Sequence, residues 1–409
     1  MKFNKWTVGL ASAGVVSMAA VVQADEKPNM VQTMLDSTML SGYVDTSAQW
    51  NFGTGNERLP DYKFGGPSKA DGFNLNVVQI RIEKPIDSSD WAAGYRVDLW
   101  AGPDANAAAT QSFGPFSEGG VGADFAVKQA YIALRMPIGN GLDWKMGVFD
   151  SIIGYESDQG PANPNYTRSY GHTFEPQTFT GVLASYRFCE AFAISAGVAN
   201  TKGPGINSRA FGEDGKAESS KTYMASFLIT APESIGFLSG STLEGGFVNG
   251  LEENENRADY DENSAHYYVG ATLATPVSGL RIGGAFDYLD VHNLRGETYS
   301  LACYTSFQAT EKLSLHFRGE YLRDRGEQKF FTADFTDPAA STNPDRVLAL
   351  TATAQYDLWK NVISRVEFRW DHSLSGQRVW GTARTEDGDV ISGSLRNEWL
   401  LAANLIYKF

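Results

Sequence analysis

Cysteine is nearly missing from this sequence. There are two in 409 residues, Cys189 and Cys303, too few for a disulfide scaffold. Each reads as a lone buried thiol, Cys189 in a turn and Cys303 within a strand. Basic residues are also in deficit: Lys and Arg number 34 against 48 Asp and Glu, for a net charge of −14. That balance excludes nucleic acid as a partner, because phosphate binding needs clustered cations. Hydrolase, redox and nucleotide signatures are missing as well. The chain has no His-Glu-x-x-His, no Cys-x-x-Cys, no Gly-rich phosphate loop and no Gly-x-Ser-x-Gly. The neighbours His372 and Ser373 cannot form a catalytic pair, since adjacent strand residues point to opposite faces. An enzyme is therefore not expected, and no cofactor or metal is called for. The acidic stretch from Glu252 to Glu262 offers carboxylates to a divalent cation, but lacks the glycine spacing of a calcium loop and reads as a solvated loop.

Long apolar runs are confined to the start. Lys2 and Lys5 precede an apolar stretch from Trp6 to about Val22, and Val22-Gln23-Ala24 offers the small residues of a signal-peptidase site. Residues 1–24 read as a secretory signal rather than a helical anchor, with the mature chain starting at Asp25. Beyond it no run of about 18 apolar residues occurs, so no helix is expected to span a membrane. Residues 25–38 lack alternation and read as a short periplasmic segment.

What the chain has in quantity is period-two alternation. Leu313, Leu315, Phe317 and Tyr321 share one face, and Ser314, His316, Arg318 and Glu320 the other. Val362, Ser364, Val366, Phe368 and Trp370 alternate with Ile363, Arg365, Glu367, Arg369 and Asp371. This period means strand. A soluble sandwich also alternates, but three features separate the two. Segments run to about 10 residues, as tilted membrane strands require. Aromatics sit near segment ends at Trp91, Trp100, Trp144, Tyr186, Phe188, Tyr288 and Trp370, as in interface girdles. Short joins such as 85–89, 137–141, 276–279 and 308–312 alternate with long polar ones such as 53–71, 102–123, 151–176, 201–219, 250–263, 325–345 and 373–393. The expected fold is all-β, a transmembrane antiparallel up-and-down β-barrel of about 16 strands over 39–409, with the short turns periplasmic and the long loops outside. The last strand places Leu395, Trp399, Leu401, Ala403, Leu405, Tyr407 and Phe409 on one face, and ends on Phe409.

Charged residues on the opposite faces must look into the barrel, because Arg or Lys facing lipid at the midplane costs about 2–4 kcal/mol. The pore-lining candidates are Arg81, Arg96, Asp98, Lys145, Arg318, Glu320, Arg365, Glu367 and Arg369. Glu83, Asp143, Arg187, Arg281, Asp287, Arg396, Glu398 and Lys408 share the same polar face. About 16 strands leave an aqueous channel rather than a filled core.

Certain stretches resemble a known family. They are Leu40-Ser-Gly-Tyr-Val-Asp-Thr-Ser, Lys145-Met-Gly-Val-Phe-Asp-Ser-Ile-Ile-Gly-Tyr-Glu156, Asn163-Pro-Asn-Tyr-Thr-Arg-Ser-Tyr170 and Gln177-Thr-Phe-Thr-Gly-Val-Leu-Ala-Ser-Tyr186. Over most of its length the chain resembles the OmpL-like β-barrel porin family, and more loosely the general porins, whose Pro-Glu-Phe-Gly-Gly loop pattern it lacks. The resemblance implies a pore, in keeping with an integral barrel of the cell outer membrane. By analogy with the inward third loop of general porins, Glu156, Asp158, Tyr166, Arg168, Tyr170 and His172 become candidates for a pore constriction; the same loop also reads as a surface loop ordered by Pro161, Pro164 and Pro176. Tyr407 and Phe409 resemble the terminal signal read by the barrel assembly machinery. Expected partners are outer-membrane lipid, that machinery, small hydrophilic solutes and a second copy of the chain, a trimer among the options. A substrate-selective channel and a structural or adhesive barrel remain alternatives to passive diffusion.

Overall fold

The computed structural model describes residues 31–32, 38–53, 58–110, 124–210, 216–251, 263–291, 296–325, 344–384 and 390–409. Sixteen antiparallel strands close on themselves. In chain order they are β1 Met39–Asn51, β2 Gly72–Lys84, β3 Ala92–Ala101, β4 Phe125–Met136, β5 Leu142–Asp150, β6 Thr178–Cys189, β7 Phe192–Ala199 and β8 Thr222–Thr230. The second half comprises β9 Thr242–Leu251, β10 Asn263–Ala274, β11 Leu280–Val291, β12 Gly296–Gln308, β13 Leu313–Arg325, β14 Arg346–Trp359, β15 Val362–Ser373 and β16 Asn397–Lys408. Each strand pairs with its sequence neighbours, and β16 pairs with β1 from Leu400↔Asn51 to Lys408↔Tyr43. Closure leaves no open edge, which matters in lipid, where an unpaired backbone group has no water to bond.

Alternation sets the two surfaces. Along β13, Ser314, His316, Arg318, Glu320, Leu322 and Asp324 are buried toward the lumen, whereas Leu315 and Phe317 are exposed on the outside. On β15, Ile363, Arg365, Glu367, Arg369 and Asp371 look inward, while Phe368 and Trp370 look out and stack against Trp399 of β16. Short turns gather at one rim and the longer connections at the other. Upstream, Val31–Gln32 pairs back onto Leu40 and Met39.

The inner wall has two characters. At the level of the loop 151–176 the lumen face of β5 to β9 is mostly apolar or small and includes Phe149, Phe179, Leu183, Ala199, Met224 and Val248, with Glu244 of β9 buried among the exceptions and bonded by Tyr268. The lumen face of β13 to β15 carries Arg318, Glu320, Arg365, Glu367, Arg369 and Asp371. At that level the charged strands thus face a mostly apolar wall.

Several sequence expectations need correction. Trp100 is not a girdle residue: it is fully buried on the lumen side and donates to Gln79 at 2.8 Å. Cys189 and Cys303 are both exposed, and Cys189 ends β6 rather than sitting in a turn. On a barrel the lipid face is where a small apolar thiol fits without a partner. Leu395 precedes β16 and packs on buried Trp380 instead of joining the outer face. Arg396 also precedes β16 and is exposed. The acidic stretch 252–262, most of 325–345 and the signal segment 1–24 lie outside the described residues.

The chain end locks the seam. Gly42 and Phe409 exchange backbone bonds, N–H to O at 2.9 and 3.0 Å, and Gly42 sits so near the Phe409 ring that a Cβ there would lie 2.7 Å from it. Phe409→Ala is expected to lower the amount of folded, heat-modifiable barrel in the outer membrane without changing synthesis. Unchanged levels on a gel run with and without boiling would argue against a role for the terminal aromatic.

Candidate functional site

The connection from β5 to β6 turns into the barrel. It leaves Asp150 along the apolar wall, burying Ile152 and Ile153 against Phe149, Phe179, Met224 and Val248. Tyr155 then stacks on Tyr304 of β12 with ring centres 4.2 Å apart, and its hydroxyl meets Thr272 of β10 at 2.9 Å. From there the chain crosses to the charged wall. Its segment 163–170 lies against β13, β14 and β15, and it returns through the short helix Tyr170–Phe174 to β6.

A backbone without regular structure needs partners for its N–H and C=O groups when it is taken out of water. Here the wall supplies them. Glu367 accepts from the amides of Tyr166 and Thr167 at 2.6 and 2.9 Å and from the Thr167 hydroxyl at 2.6 Å. Glu320 accepts from the Tyr170 amide at 2.7 Å. Arg318 donates to the carbonyls of Thr167 and Arg168 at 2.8 and 3.1 Å, and Arg369 donates to that of Arg168 at 2.7 Å. Arg365 donates to the carbonyls of Gly160 and Asn163. Carboxylates of the wall thus take the loop amides, and guanidinium groups take its carbonyls.

The loop completes its own framework. Arg168 curls back on the carbonyls of Ser157, Tyr166 and Asp158, at 2.8, 2.8 and 2.9 Å. Asn163 closes the turn by bonding Ser157 and Gln159. Glu156 pairs with Arg318 at 2.9 Å and accepts from the Ser169 amide at 2.8 Å. Tyr170 donates to Asp371 at 2.8 Å, and Arg369 lies between the Tyr62 and Tyr170 rings, 4.0 and 5.1 Å from their centres. A cation held between two rings in a dry site gains from both faces.

A chain of titratable groups runs along the loop. Asp158 meets Lys128 of β4 at 2.8 Å, Lys63 of the first long connection at 3.1 Å and His172 at 3.0 Å. His172 meets Glu175 at 3.3 Å, and Glu175 shares a hydrogen bond with Asp287 of β11. Burial alone would raise Asp158, but Lys128 and Lys63 hold it well below the usual carboxylate range. Burial would lower His172, yet its bonds to Asp158 and Glu175 raise it. Burial and then the charge of Asp287 push Glu175 up to about 8.

All six loop candidates, Glu156, Asp158, Tyr166, Arg168, Tyr170 and His172, therefore come together in the lumen, and Arg318, Glu320, Arg365, Glu367 and Arg369 meet them there. Arg81, Arg96 and Asp98 form a separate cluster, both arginines gripping one carboxylate, joined to the loop where Arg81 reaches Gln159 at 3.0 Å. Lys145 stays apart and rests on the Tyr131 ring, 5.0 Å from its centre. Tyr407 is exposed on the outer face and Phe409 lies at the seam. The sequence reading missed Lys63, Tyr62, Lys128 and Asp45. A cavity of about 20 Å³, lined among others by Asp45, Lys63, Asn76, Tyr166, Arg168 and Arg365, has room for about one water. Lys128 sits beside Gln129 where β4 slips register against β3 at Asp98/Leu99, so both residues turn inward and simple alternation fails. Lys63 lies in a loop, where no period exists to read.

A family model described as Putative beta-barrel porin-2, OmpL-like, matches residues 37–409. The chain belongs to that OmpL-like porin family. It is an integral β-barrel of the outer membrane. No curated protein sequence matches it. Among solved structures, this OmpL-like porin is similar to an anion-selective porin from Comamonas acidovorans, at TM-score 0.56 and 11% identity over 91% of this chain and 99% of that one. It is similar to OmpF of Salmonella typhi in complex with daunomycin, at 0.54 and 14% over 91% and 97%. It is also similar to OmpT of Vibrio cholerae in a trimer form, at 0.54 and 12% over 91% and 99%. Likeness at this identity speaks for the shared barrel fold.

Two predictions follow from how the loop is held. Glu367→Ala strands three loop donors, at about 1–3 kcal/mol for each group left buried and unpaired, so hydrogen exchange and protease cleavage between residues 160 and 170 should rise; unchanged protection would show that Glu367 is not a main anchor. The second concerns pH. Glu175 and His172 are both raised in the folded loop, so the stability they give is fully present only below their ordinary values of 4.5 and 6.5 and is lost as pH rises, for Glu175 up to about 8,. The groups around them, Asp158, Lys63, Lys128, Asp287 and His266, stand on the loop, the first connection, β4, β11 and β10. Loop protection should fall between about pH 4.5 and 8,, and Glu175→Gln should flatten that dependence; a parallel fall in the variant would remove Glu175 as the cause.

Proposed function

We propose that this barrel is a porin through which small hydrophilic solutes or ions diffuse passively, narrowed by the loop 151–176. The observation that carries the reading is the loop itself, drawn inside a 16-stranded barrel and bonded to Glu367, Arg318 and Arg369 on one wall while packed on Phe149 and Phe179 on another. A barrel of this strand number encloses an aqueous lumen, and a segment crossing it sets the width of any passage. Glu156, Asp158, Tyr166, Arg168, Tyr170 and His172 then stand at the constriction, with Arg81, Arg96, Asp98, Lys145, Arg318, Glu320, Arg365, Glu367 and Arg369 lining the approaches. No catalytic step is assigned to any of them. The long connections face the cell exterior and the short turns the periplasm. A trimer is the assembly to test first, since the V. cholerae relative was solved in a trimer form.

One observation favours a second reading, a substrate-selective channel. The stacked pair Tyr155 and Tyr304 and the apolar lumen face of β5 to β9 oppose a charged wall, a pairing that would sort solutes by their apolar face.

Planar-bilayer recording of the refolded chain tests both. Removing residues between Gly160 and Glu175 should raise single-channel conductance. Arg168→Gln should shift reversal potential toward cations, and the pair Glu156→Gln and Asp158→Asn toward anions, because a charge in a narrow low-dielectric passage acts strongly on passing ions. Saturation of current by one solute class would select the second reading. A barrel that conducts neither with the loop nor without it would leave the structural or adhesive role.

A further inference from the structure

The outer surface carries a feature that lipid contact alone does not explain. At the long-loop end of β10 to β14, one register row runs Tyr267, Tyr288, Tyr299, Arg323, Arg346. All five residues point away from the lumen, since their neighbours Tyr268, Asp287, Thr298, Leu322, Asp324 and Val347 are the buried, inward ones. The first three form a tyrosine belt. Tyr267 and Tyr288 have ring centres 6.4 Å apart, and Tyr299 lies 6.1 Å from Tyr321 of the row below. Aromatics at such a level mark the boundary between hydrocarbon and headgroups. The belt then passes, at the same height, into two arginines directly opposite each other on β13 and β14.

Like charges in opposed cross-strand positions repel. Among the described residues, neither guanidinium has a carboxylate within ion-pair distance. Arg323 lies over the Tyr299 ring at 5.9 Å and reaches its hydroxyl at 3.5 Å. Glu297, whose charge acts on Arg323, is taken by Arg325 at 3.3 Å, further up β13. Arg323 and Arg346 therefore present adjacent forks outward, at headgroup level, on the long-loop half of the barrel, which is the external leaflet in the orientation proposed above. Phosphate is the group that two adjacent guanidinium forks bind best, bidentately and with its charge shared.

We infer that Arg323 and Arg346 form a docking site for the phosphate of an anionic glycolipid of the outer leaflet, with the Tyr299 and Tyr321 rings against its sugar and acyl root. The position argues for a lipid over a free phosphate. The site opens sideways at the belt rather than into the lumen, and a basic cluster at the membrane surface gains about 1 kcal/mol per cation from anionic headgroups.

The test uses the full barrel refolded from lipid-free inclusion bodies in detergent, titrated with bisphosphorylated lipid A, with dephosphorylated lipid A and with inorganic phosphate, and read by native mass spectrometry. The intact chain should retain the bisphosphorylated lipid roughly tenfold or more better than the dephosphorylated one. Arg323→Gln with Arg346→Gln should erase that difference, and Arg323→Lys with Arg346→Lys should restore part of it. Bilayer conductance of the glutamine variant should stay unchanged, which separates this site from the lumen. Equal retention of the two lipids by the intact chain overturns the proposal even if the glutamine variant fails to fold. So does displacement of the lipid by millimolar inorganic phosphate, or undiminished retention by a folded glutamine variant.

Discussion

The interior of this porin depends on how an irregular backbone is kept inside a barrel. Every turn of the loop 151–176 brings amides and carbonyls into a space where water is scarce, and an unmet group of that kind costs about 1–3 kcal/mol. The barrel answers with side chains acting as substitute secondary structure. Glu367 and Glu320 stand where a neighbouring strand's carbonyls would be, and Arg318, Arg365 and Arg369 where its amides would be. The charges come in near balance, four arginines counting Arg168 against Glu156, Glu320, Glu367 and Asp371. Buried ion pairs of this type add little net stability, but breaking one half exposes the other to a dry surrounding. Their effect is to fix one loop geometry rather than to strengthen the barrel.

That arrangement also accounts for the unequal walls. The strands after β12 carry arginine and carboxylate inward because the loop backbone lies there. β5 to β9 carry Phe149, Phe179, Met224 and Val248 because Ile152 and Ile153 lie there. Two kinds of loop chemistry, apolar at its start and backbone-polar in its middle, are matched by two kinds of wall.

The barrel was legible in the sequence because period two survives in nearly every strand, and because lipid outside and charge inside give the two faces opposite composition. Strand positions could be placed within about three residues for the same reason. Legibility failed where the period slipped or had no hold. Trp100 looked like a girdle aromatic by its place at a strand end, yet it shares the inward parity of Arg96 and Asp98 along β3 and is fully buried in the lumen. The two cysteines looked buried by the habits of soluble cores, whereas the lipid face reverses the meaning of exposure. In the lumen, the arginines and carboxylates of β13 and β15 could be assigned to a face but not to a partner. Their partners are backbone atoms of a loop about 150–200 residues earlier, and backbone atoms leave no mark on residue type. Lys63 and Tyr62 were invisible for a related reason: a loop residue's destination is set by the wall it meets.

That separation along the chain has a consequence for biogenesis. The loop emerges before β6, but the groups that satisfy its backbone reside on β13 to β15, and the seam between β1 and β16 pairs residues some 350 positions apart. Contacts this distant in sequence form late, since the chain entropy of closing them must be met before they return anything. The loop can therefore settle only as the final strands arrive, and until then its amides and carbonyls need water. The barrel has to be built around a wet loop whose contacts with the wall shed water as it closes, so the last strands to be inserted finish the lumen as well as the wall.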